Sequence, residues 1–395
     1  MGEDVRSGGA RPIEAPRRAD LGAPMIEPAP RPRAAPLDPM AEALRLARLG
    51  DHRTSPNPMV GAVVTVGGEL IGAGYHARAG GPHAEVVALD AAGDRARGST
   101  LHVTLEPCVH LGRTGPCVER IIASGVARVE IATEDPNPLV RGAGVQRLRA
   151  AGIAVGVGAH GDEARELIRA FATWVTTGLP LVTLKFAMSL DGKLATATGE
   201  SRWITGPESR RRAHLLRHEH DAILVGSGTV LQDDPRLTTR LVGRRARQPL
   251  RVVADARLRI PPGARAIQAG ERPALVATWA GAPADRREQL EAAGAECMVV
   301  EAPGGRLDLR DLARQLAARG CTSLLVEGGS TLLGSCLTEG LVDRVTAFVA
   351  PILVGGDEAP GAVGGGGIGR LAEAVRLTRL RCEPLGDDFC LTGER

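Results

Sequence analysis

An α/β fold in two domains is what this sequence predicts, and three observations carry the prediction. The chain has 395 residues, more than a single hydrophobic core usually serves, so two cores are expected. Strand-like apolar runs alternate with segments of helical period, the pattern of helices layered on a sheet. Between two such stretches lies Thr177-Gly178-Leu179-Pro180, a glycine and proline punctuation that ends a helix and restarts the chain in extended form.

The elements follow in order. Residues 1–37 are rich in Arg, Pro, Ala and Gly without an apolar period, so a disordered extension is expected. Met40 to Leu49 reads as an amphipathic helix, and Met40 is itself an alternative start. Thr54-Ser55-Pro56-Asn57-Pro58 is a turn, and Val60 to Val66 with Leu70 to Gly74 form a hairpin across Gly67-Gly68. Val86 to Asp90 reads as helix, Leu101 to Leu105 as strand, and the alternation continues through Val129 to Thr133 and Val145 to Ala151. The first domain is thus expected over 38–178. The second, over 179–395, opens with the strand Leu181 to Phe186. Thr205, Pro207 and Glu208 resemble a capped helix start. Ser323 to Val326 forms a strand that runs through Glu327-Gly328-Gly329-Ser330-Thr331 into a helix over Leu332 to Glu339. The glycine run Gly361 to Gly369 has no strand feeding it and reads as a mobile surface loop.

Composition narrows the function classes. Formal net charge is only +3, aromatics make up 2% of the chain, and no basic tract is interleaved with Phe, Tyr or Trp, so a nucleic-acid substrate is disfavoured. Seven cysteines form no even disulfide framework and suit a reducing cytoplasm. No apolar stretch reaches the ~18 residues that span a bilayer, and no hydrophobic signal region follows the start. A small-molecule partner is expected, without nucleic acid or membrane, and a homo-oligomer is left open.

The chemistry is concentrated in His83-Ala84-Glu85 followed by Pro107-Cys108 and Cys117. Alone, an H-x-E is uninformative and a cysteine pair is usually buried filler. Together, with proline before the first cysteine, they match the signature of zinc-dependent nucleobase deaminases, although the C-x8-C spacer is longer than the usual C-x-x-C. One imidazole and two thiolates leave a fourth position on zinc for water, the arrangement of a catalytic site. Zinc brings water to a near-neutral pKa, and Glu85 is placed to carry the proton from attacking water to ring nitrogen and departing ammonia. His110, two residues from Cys108, is awkward as a ligand and reads as pocket lining.

Two weaker signals lie in the second half. The chain's only two lysines, Lys185 and Lys193, fall eight residues apart amid abundant arginine. In such a sequence a surviving lysine marks a place where an ammonium does what a guanidinium cannot, Lys185 more than Lys193. The strand, glycine loop and helix start at 323–335 form a recipe for a phosphate cradle, common enough to be weak alone.

The motifs now carry a resemblance. P-N-P-x-V-G at Pro56 to Gly61, G-x-H-x-x-A-G-x-P-H-A-E at Gly74 to Glu85, T-L-E-P-C at Thr104 to Cys108 and G-R-T-x-P-C at Gly112 to Cys117 resemble the bifunctional deaminase-reductases of riboflavin biosynthesis. So do K-x-x-x-S-L-D-G from Lys185, G-E-S-x-W-I-T ending at Thr205, T-V-L-x-D-D-P from Thr229 and V-E-G-G-x-T-L from Val326. The likeness runs from about residue 38 to the C-terminus, and the long cysteine spacer belongs to that family's pattern.

The resemblance implies a cytidine-deaminase-like three-layer domain followed by a dihydrofolate-reductase-like domain. It implies hydrolytic deamination of a diaminopyrimidinone ribosylamine 5'-phosphate, then reduction of the ribosyl chain to ribityl. The cofactors it implies are one Zn2+, held by His83, Cys108 and Cys117 with Glu85 as proton carrier, and NADPH. It places Asn57 and His76 at the pyrimidine. It places Ala187, Trp203, Thr229, Asp233, Ala256 and the stretch Gly329, Ser330, Thr331, Leu332, Leu333, Gly334, Ser335 at the dinucleotide. It places Ser201, Arg217, Leu237, Arg240 and Glu327 at the substrate of the reductase, with Lys185 near Asp233 polarising the opening sugar. Arg217 and Arg240 suit a phosphate, which a guanidinium fork grips well.

The chain departs from the family at Val109 and Gly115, where serine and proline are usual, which leaves the zinc ligands intact and bears on the cysteine loop. Two other readings compete. A cytidine, guanine or tRNA-type deaminase with an interaction module as its second half would need the charged, aromatic-lined groove the sequence lacks. A non-catalytic zinc scaffold would have no use for Glu85.

Overall fold

The structure, a computed structural model, describes Met1 and residues 38–109, 115–138, 140–243 and 246–395. The expected extension, beyond its first residue, and His110 lie outside these.

The first sheet has five strands in the order β2-β1-β3-β4-β5: β1 (Gly61–Val66), β2 (Glu69–Tyr75), β3 (Thr100–Val103), β4 (Arg128–Ile131) and β5 (Ala154–Val157). Helices α1 (Pro39–Ala47), α2 (Ala84–Ala92), α3 (Cys117–Ser124), α4 (Ala143–Ala150), α5 (Gly161–Leu167) and α6 (Arg169–Thr177) accompany it. The predicted hairpin is present, and its two glycines stand at φ 58° and 86°, the left-handed pair that a tight two-residue turn needs. Strands β3, β4 and β5 run parallel. Their buried Leu101, Val103, Val129 and Ile131 form a core with Ala88 and Leu89 of α2 and Val118 and Ile121 of α3.

Close packing sets the height of α2 on the sheet. A Cβ on Gly72 would fall 2.3 Å from the Ala88 carbonyl oxygen, and one on Gly74 2.6 Å from the Val87 Cβ. Only glycine lets the helix sit this low, which sinks the first turn of α2 into the domain.

The second sheet has nine strands in the order β10-β9-β8-β7-β11-β6-β12-β14-β13. They are β6 (Leu181–Ser189), β7 (Ala222–Gly226), β8 (Leu250–Ala254), β9 (Leu275–Thr278), β10 (Glu296–Val299), β11 (Ser323–Val326), β12 (Arg344–Ala350), β13 (Thr378–Leu385) and β14 (Asp388–Glu394). Strands β10 to β12 in this order are parallel, and β14 and β13 close one edge antiparallel. The helices are α7 (Pro207–Glu219), α8 (Ser227–Asp233), α9 (Arg265–Gln268), α10 (Ala284–Ala292), α11 (Leu309–Ala318) and α12 (Ser330–Thr338). Strands β7, β8 and β11 are largely buried and rich in Val, Ile and Leu because both faces are covered, although β8 also buries Arg251. Chain order reverses about β7, which lies between β8 and β11. The outgoing turns to α8 and α12 thus flank one crevice, the usual ligand site of an open parallel sheet.

The mixed α/β architecture expected from the sequence is present, with local corrections. The helix after β11 starts at Ser330, two residues before Leu332, because Gly329 is its extended N-cap. The cap of α7 is Gly206, not Thr205; Asp388 on β14 accepts both the Gly206 N–H (2.7 Å) and the Ser209 hydroxyl (2.6 Å), so a distant carboxylate does the capping. Cys117 lies in the first turn of α3 rather than in a loop. The glycine run at 361–369 is tethered: Ala362 N–H donates to Gly192 O (3.1 Å), and Gly364 N–H to Ser330 O (3.0 Å).

Candidate active sites

Two helix N-termini converge to build the first site. His83 is the N-cap of α2 and Cys117 opens α3, while Cys108 follows β3. His83 Nδ1 lies 3.0 Å from Cys117 Sγ and 3.7 Å from Cys108 Sγ, and the three ligand atoms all lie within 4.8 Å of one another. A tetrahedral zinc with ordinary Zn–N and Zn–S lengths separates such donors by roughly 3.5 Å, so the donor set and its spacing fit that ion. The Cys117 N–H points at Cys108 Sγ (3.4 Å); a helix N-terminus favours thiolate. Hydrogen bonds from Cys117, and then from His83, hold the Cys108 thiol far below its ordinary range. The Cys117 thiol is pushed up by its hydrogen bond to Cys108 and by burial.

Glu85, in the first turn of α2, is buried, and burial lifts its carboxyl above the usual glutamate value. His76 meets the His83 ring edge to face, centroids 5.4 Å apart. Burial lowers the His76 imidazole below its ordinary range. Its Nδ1–H donates to Pro82 O (2.9 Å), so Nε2 accepts from the Asn57 amide (3.1 Å). That fixes the Asn57 rotamer over a cavity of about 360 Å³ lined by Asn57, His76, His83, Glu85, Cys108 and Phe171. Val109 packs at the edge of the first core, and among the described residues no side chain crowds Gly115.

Glu106 is the residue the sequence reading missed. Buried next to the cysteine loop, its carboxylate accepts three backbone N–H groups: Asp135 (3.0 Å), Gly142 (3.0 Å) and Val145 (3.1 Å). It thereby staples the β4–α4 loop to the pocket wall, where Asp135 also lines the cavity. Its place in T-L-E-P-C marked it, but no local rule announces a partner some thirty residues away.

The second site lies on the crevice of the larger sheet. A cavity of about 520 Å³ is lined by Thr229, Ala256, Gly329, Thr331, Leu332 and Ser335, among others, and Thr229 Oγ1 accepts the Gly329 N–H (3.0 Å). Other residues expected at the dinucleotide are not in the lining of this cavity. Leu333 is buried in the core, Ala187 packs near Leu216 and Phe348, and Trp203 is 71% exposed beneath the Arg210 guanidinium. Gly334 and Ser330 instead seat the tethered glycine run; a Cβ on Gly334 would fall 1.9 Å from Gly364 O.

Beside it lies a charged cluster. Arg217 grips Glu327 through Nε and Nη2, each at 2.8 Å, and Lys185 Nζ is 3.6 Å from the same carboxylate. Burial works against this carboxylate's charge, but Arg217 and Lys185 outweigh it and carry Glu327 down to about 2. Lys185 pairs with Glu327, while Asp233 Oδ1 accepts from Ser201 (3.4 Å) and its backbone carbonyl binds Arg202. Lys193 donates to Gly356 O (2.8 Å) and Ala359 O (3.0 Å), a loop staple in which three ammonium protons serve better than a planar fork. Leu237 is buried at φ 54°. Arg240 is exposed, donates to Thr238 Oγ1 (3.0 Å), and is repelled by Arg217 and Arg236, a local excess of positive charge.

A zinc-binding H-x-E deaminase fused to a dinucleotide-type parallel sheet defines a two-site deaminase and reductase. Residues 37–133 match the cytidine and deoxycytidylate deaminase zinc-binding region, and residues 180–391 the RibD C-terminal domain. Among curated relatives, the riboflavin biosynthesis protein RibD of Aquifex aeolicus is 44% identical over 356 residues, 90% of this chain and 97% of that one. RibD of Escherichia coli is 44% identical over 365 residues, covering 89% and 97%. Acinetobacter baumannii RibD superposes with a TM-score of 0.81 at 38% identity, over 90% of this chain and 97% of that one. A Thermotoga maritima diaminohydroxyphosphoribosylaminopyrimidine deaminase/5-amino-6-(5-phosphoribosylamino)uracil reductase does so at 0.78 and 35%, with the same coverage. The chain belongs to the RibD family, the bifunctional deaminase-reductases of riboflavin biosynthesis. Among the described residues no helix is long and apolar enough to cross a membrane.

Proposed function

We propose that the 38–178 half deaminates a diaminopyrimidinone ribosylamine 5'-phosphate and that the 179–395 half reduces the resulting ribosyl chain with NADPH. The His83, Cys108 and Cys117 donor triangle beside buried Glu85 carries the first assignment. Zinc held by the three ligands supplies the Lewis acidity that makes water nucleophilic near neutral pH. The Asn57 amide, fixed by His76, orients the pyrimidine. Glu85, its carboxyl poised upward by burial, takes the proton of the attacking water and returns it to the ring and then to the leaving ammonia.

In the reductase, Thr229, Ala256 and the start of α12 line the cavity that would hold NADPH, which when bound would supply the hydride. The free N–H groups of that helix, with Gly329 as cap, suit the dinucleotide phosphates. Arg240 and Arg217 form the positive wall for the substrate phosphate. Lys185, its ammonium set by Glu327 at 3.6 Å, donates to the sugar oxygen as the ring opens, with Ser201 and Leu237 lining the same substrate. The test follows ammonia release and nicotinamide absorbance separately in zinc-loaded protein given the diamino substrate with and without NADPH. Ammonia is expected in both cases and NADPH oxidation only after it. Oxidation without prior ammonia release would overturn the assigned order.

A further inference from the structure

The segment that carries Asn57 is held from the other half of the molecule. Residues 51–58 leave the short turn after α1 with Asp51 at φ 48° and His52 at φ 56°, two consecutive non-glycine residues in the left-handed region, which persists only where surroundings over-determine it. Those surroundings come from the reductase sheet. Asp51 Oδ1 lies 2.9 Å from Nε2 of His218, a residue of α7 that is 1% exposed. The Arg247 N–H occupies His218 Nδ1 (2.9 Å), so the ring donates from Nε2 and Asp51 accepts. Arg247 also binds the His220 carbonyl (2.9 Å) and the Asp221 carboxylate. Asp221 is fixed in turn by Thr322 N–H (2.7 Å) and Oγ1 (2.8 Å). A Cβ on Gly320 would come within 3.9 Å of the Pro56 ring. Ser55, Asn57, Phe171, Asp221 and Arg247 share the walls of one small interdomain cavity, and Asn57 and Phe171 also line the deamination pocket.

We propose that His218 and Asp221 of the reductase half are positioning residues for deamination. Through Asp51, with Asp221 holding Arg247 and Arg247 holding the His218 ring, they set the 51–58 segment so that Asn57 meets the pyrimidine. The inference rests on the assignment of Asn57 to substrate binding, and it makes the reductase half a structural component of the other active site.

The test uses the full-length zinc-loaded protein. Asp51→Ala removes the acceptor for His218, and a hydrogen bond to a charged group of this kind converts to about a tenfold rise in the KM for deamination, or ~1.4 kcal/mol. The kcat, the zinc content and the reduction of pre-deaminated substrate are expected to stay within about twofold. Asp51→Asn keeps the accepting oxygen and is expected to restore most of the KM. His218→Ala is expected to match Asp51→Ala, and the double variant to be no worse than either, as coupled residues require. An unchanged KM, independent additive effects, or a parallel loss of zinc or of both activities would each overturn the proposal. A wild-type protein that releases no ammonia would instead overturn the underlying functional reading.

Discussion

The two sites solve opposite problems. The deamination site is enclosed and prebuilt: three ligands within 4.8 Å, a buried carboxyl, and a cavity of about 360 Å³. The reduction site is a wider cleft of about 520 Å³ whose charged side chains satisfy one another, Arg217 and Lys185 on Glu327. Attack on one ring carbon needs donors fixed around one point. Hydride transfer between two long molecules needs a groove and charges that become available when a phosphate arrives. One site is thus set by a tight triangle of donors, the other by an ion network.

The largest expected effect separates them outright. Cys108→Ala removes one zinc ligand, and ammonia release should fall by more than ~10³-fold with loss of bound zinc. Reduction of pre-deaminated substrate should continue. Zinc by atomic absorption and the two assays read this together, and loss of both activities would sink the two-site description. Glu85→Gln sharpens the same contrast: zinc stays, and deamination falls by about 10²–10⁴-fold, the range of a general acid/base.

In the second site the expected losses are smaller because no single group holds it. Lys185→Arg keeps the charge beside Glu327 but replaces a titratable ammonium by a group that does not give up its proton. Reduction should drop by roughly 10–100-fold at unchanged deamination, within the span of acid catalysis by one positioned group. Unaltered reduction kinetics would return Lys185 to a purely structural role in the ion network.

Legibility in the sequence followed the range of the contacts. His83 and Glu85 were readable because one helical turn holds both, and the hairpin because Gly67-Gly68 allows one tight turn. Cys108 and Cys117 were readable as a pair by motif, while the helix start beneath Cys117 was not, since Pro116 caps it without a side-chain signal. Thr205 looked like a cap because the rule is local; the actual acceptor, Asp388, sits 182 residues on from Gly206. Lys185 was singled out by composition, yet its partner Glu327 is set by strand order and not by spacing. The glycine run at 361–369 looked loose because its tether, Gly364 on Ser330, exists only once α12 is folded beside it.

Acid should distinguish the two sites last and least. The Glu327 carboxyl is carried from an ordinary 4.5 to about 2, so its ionised form favours the folded state. That contribution is complete above the unfolded value and is lost as pH falls from about 4.5 through 2. Thiolate and imidazole ligands, by contrast, compete with protons for their metal directly. Gradual acidification should therefore release zinc before the Arg217–Glu327 pair opens, and thermal unfolding between pH 6 and 3 should show the reductase transition falling less steeply in Glu327→Gln than in the wild type. Equal slopes in the two proteins would mean that the pair contributes nothing to folding and serves the substrate alone.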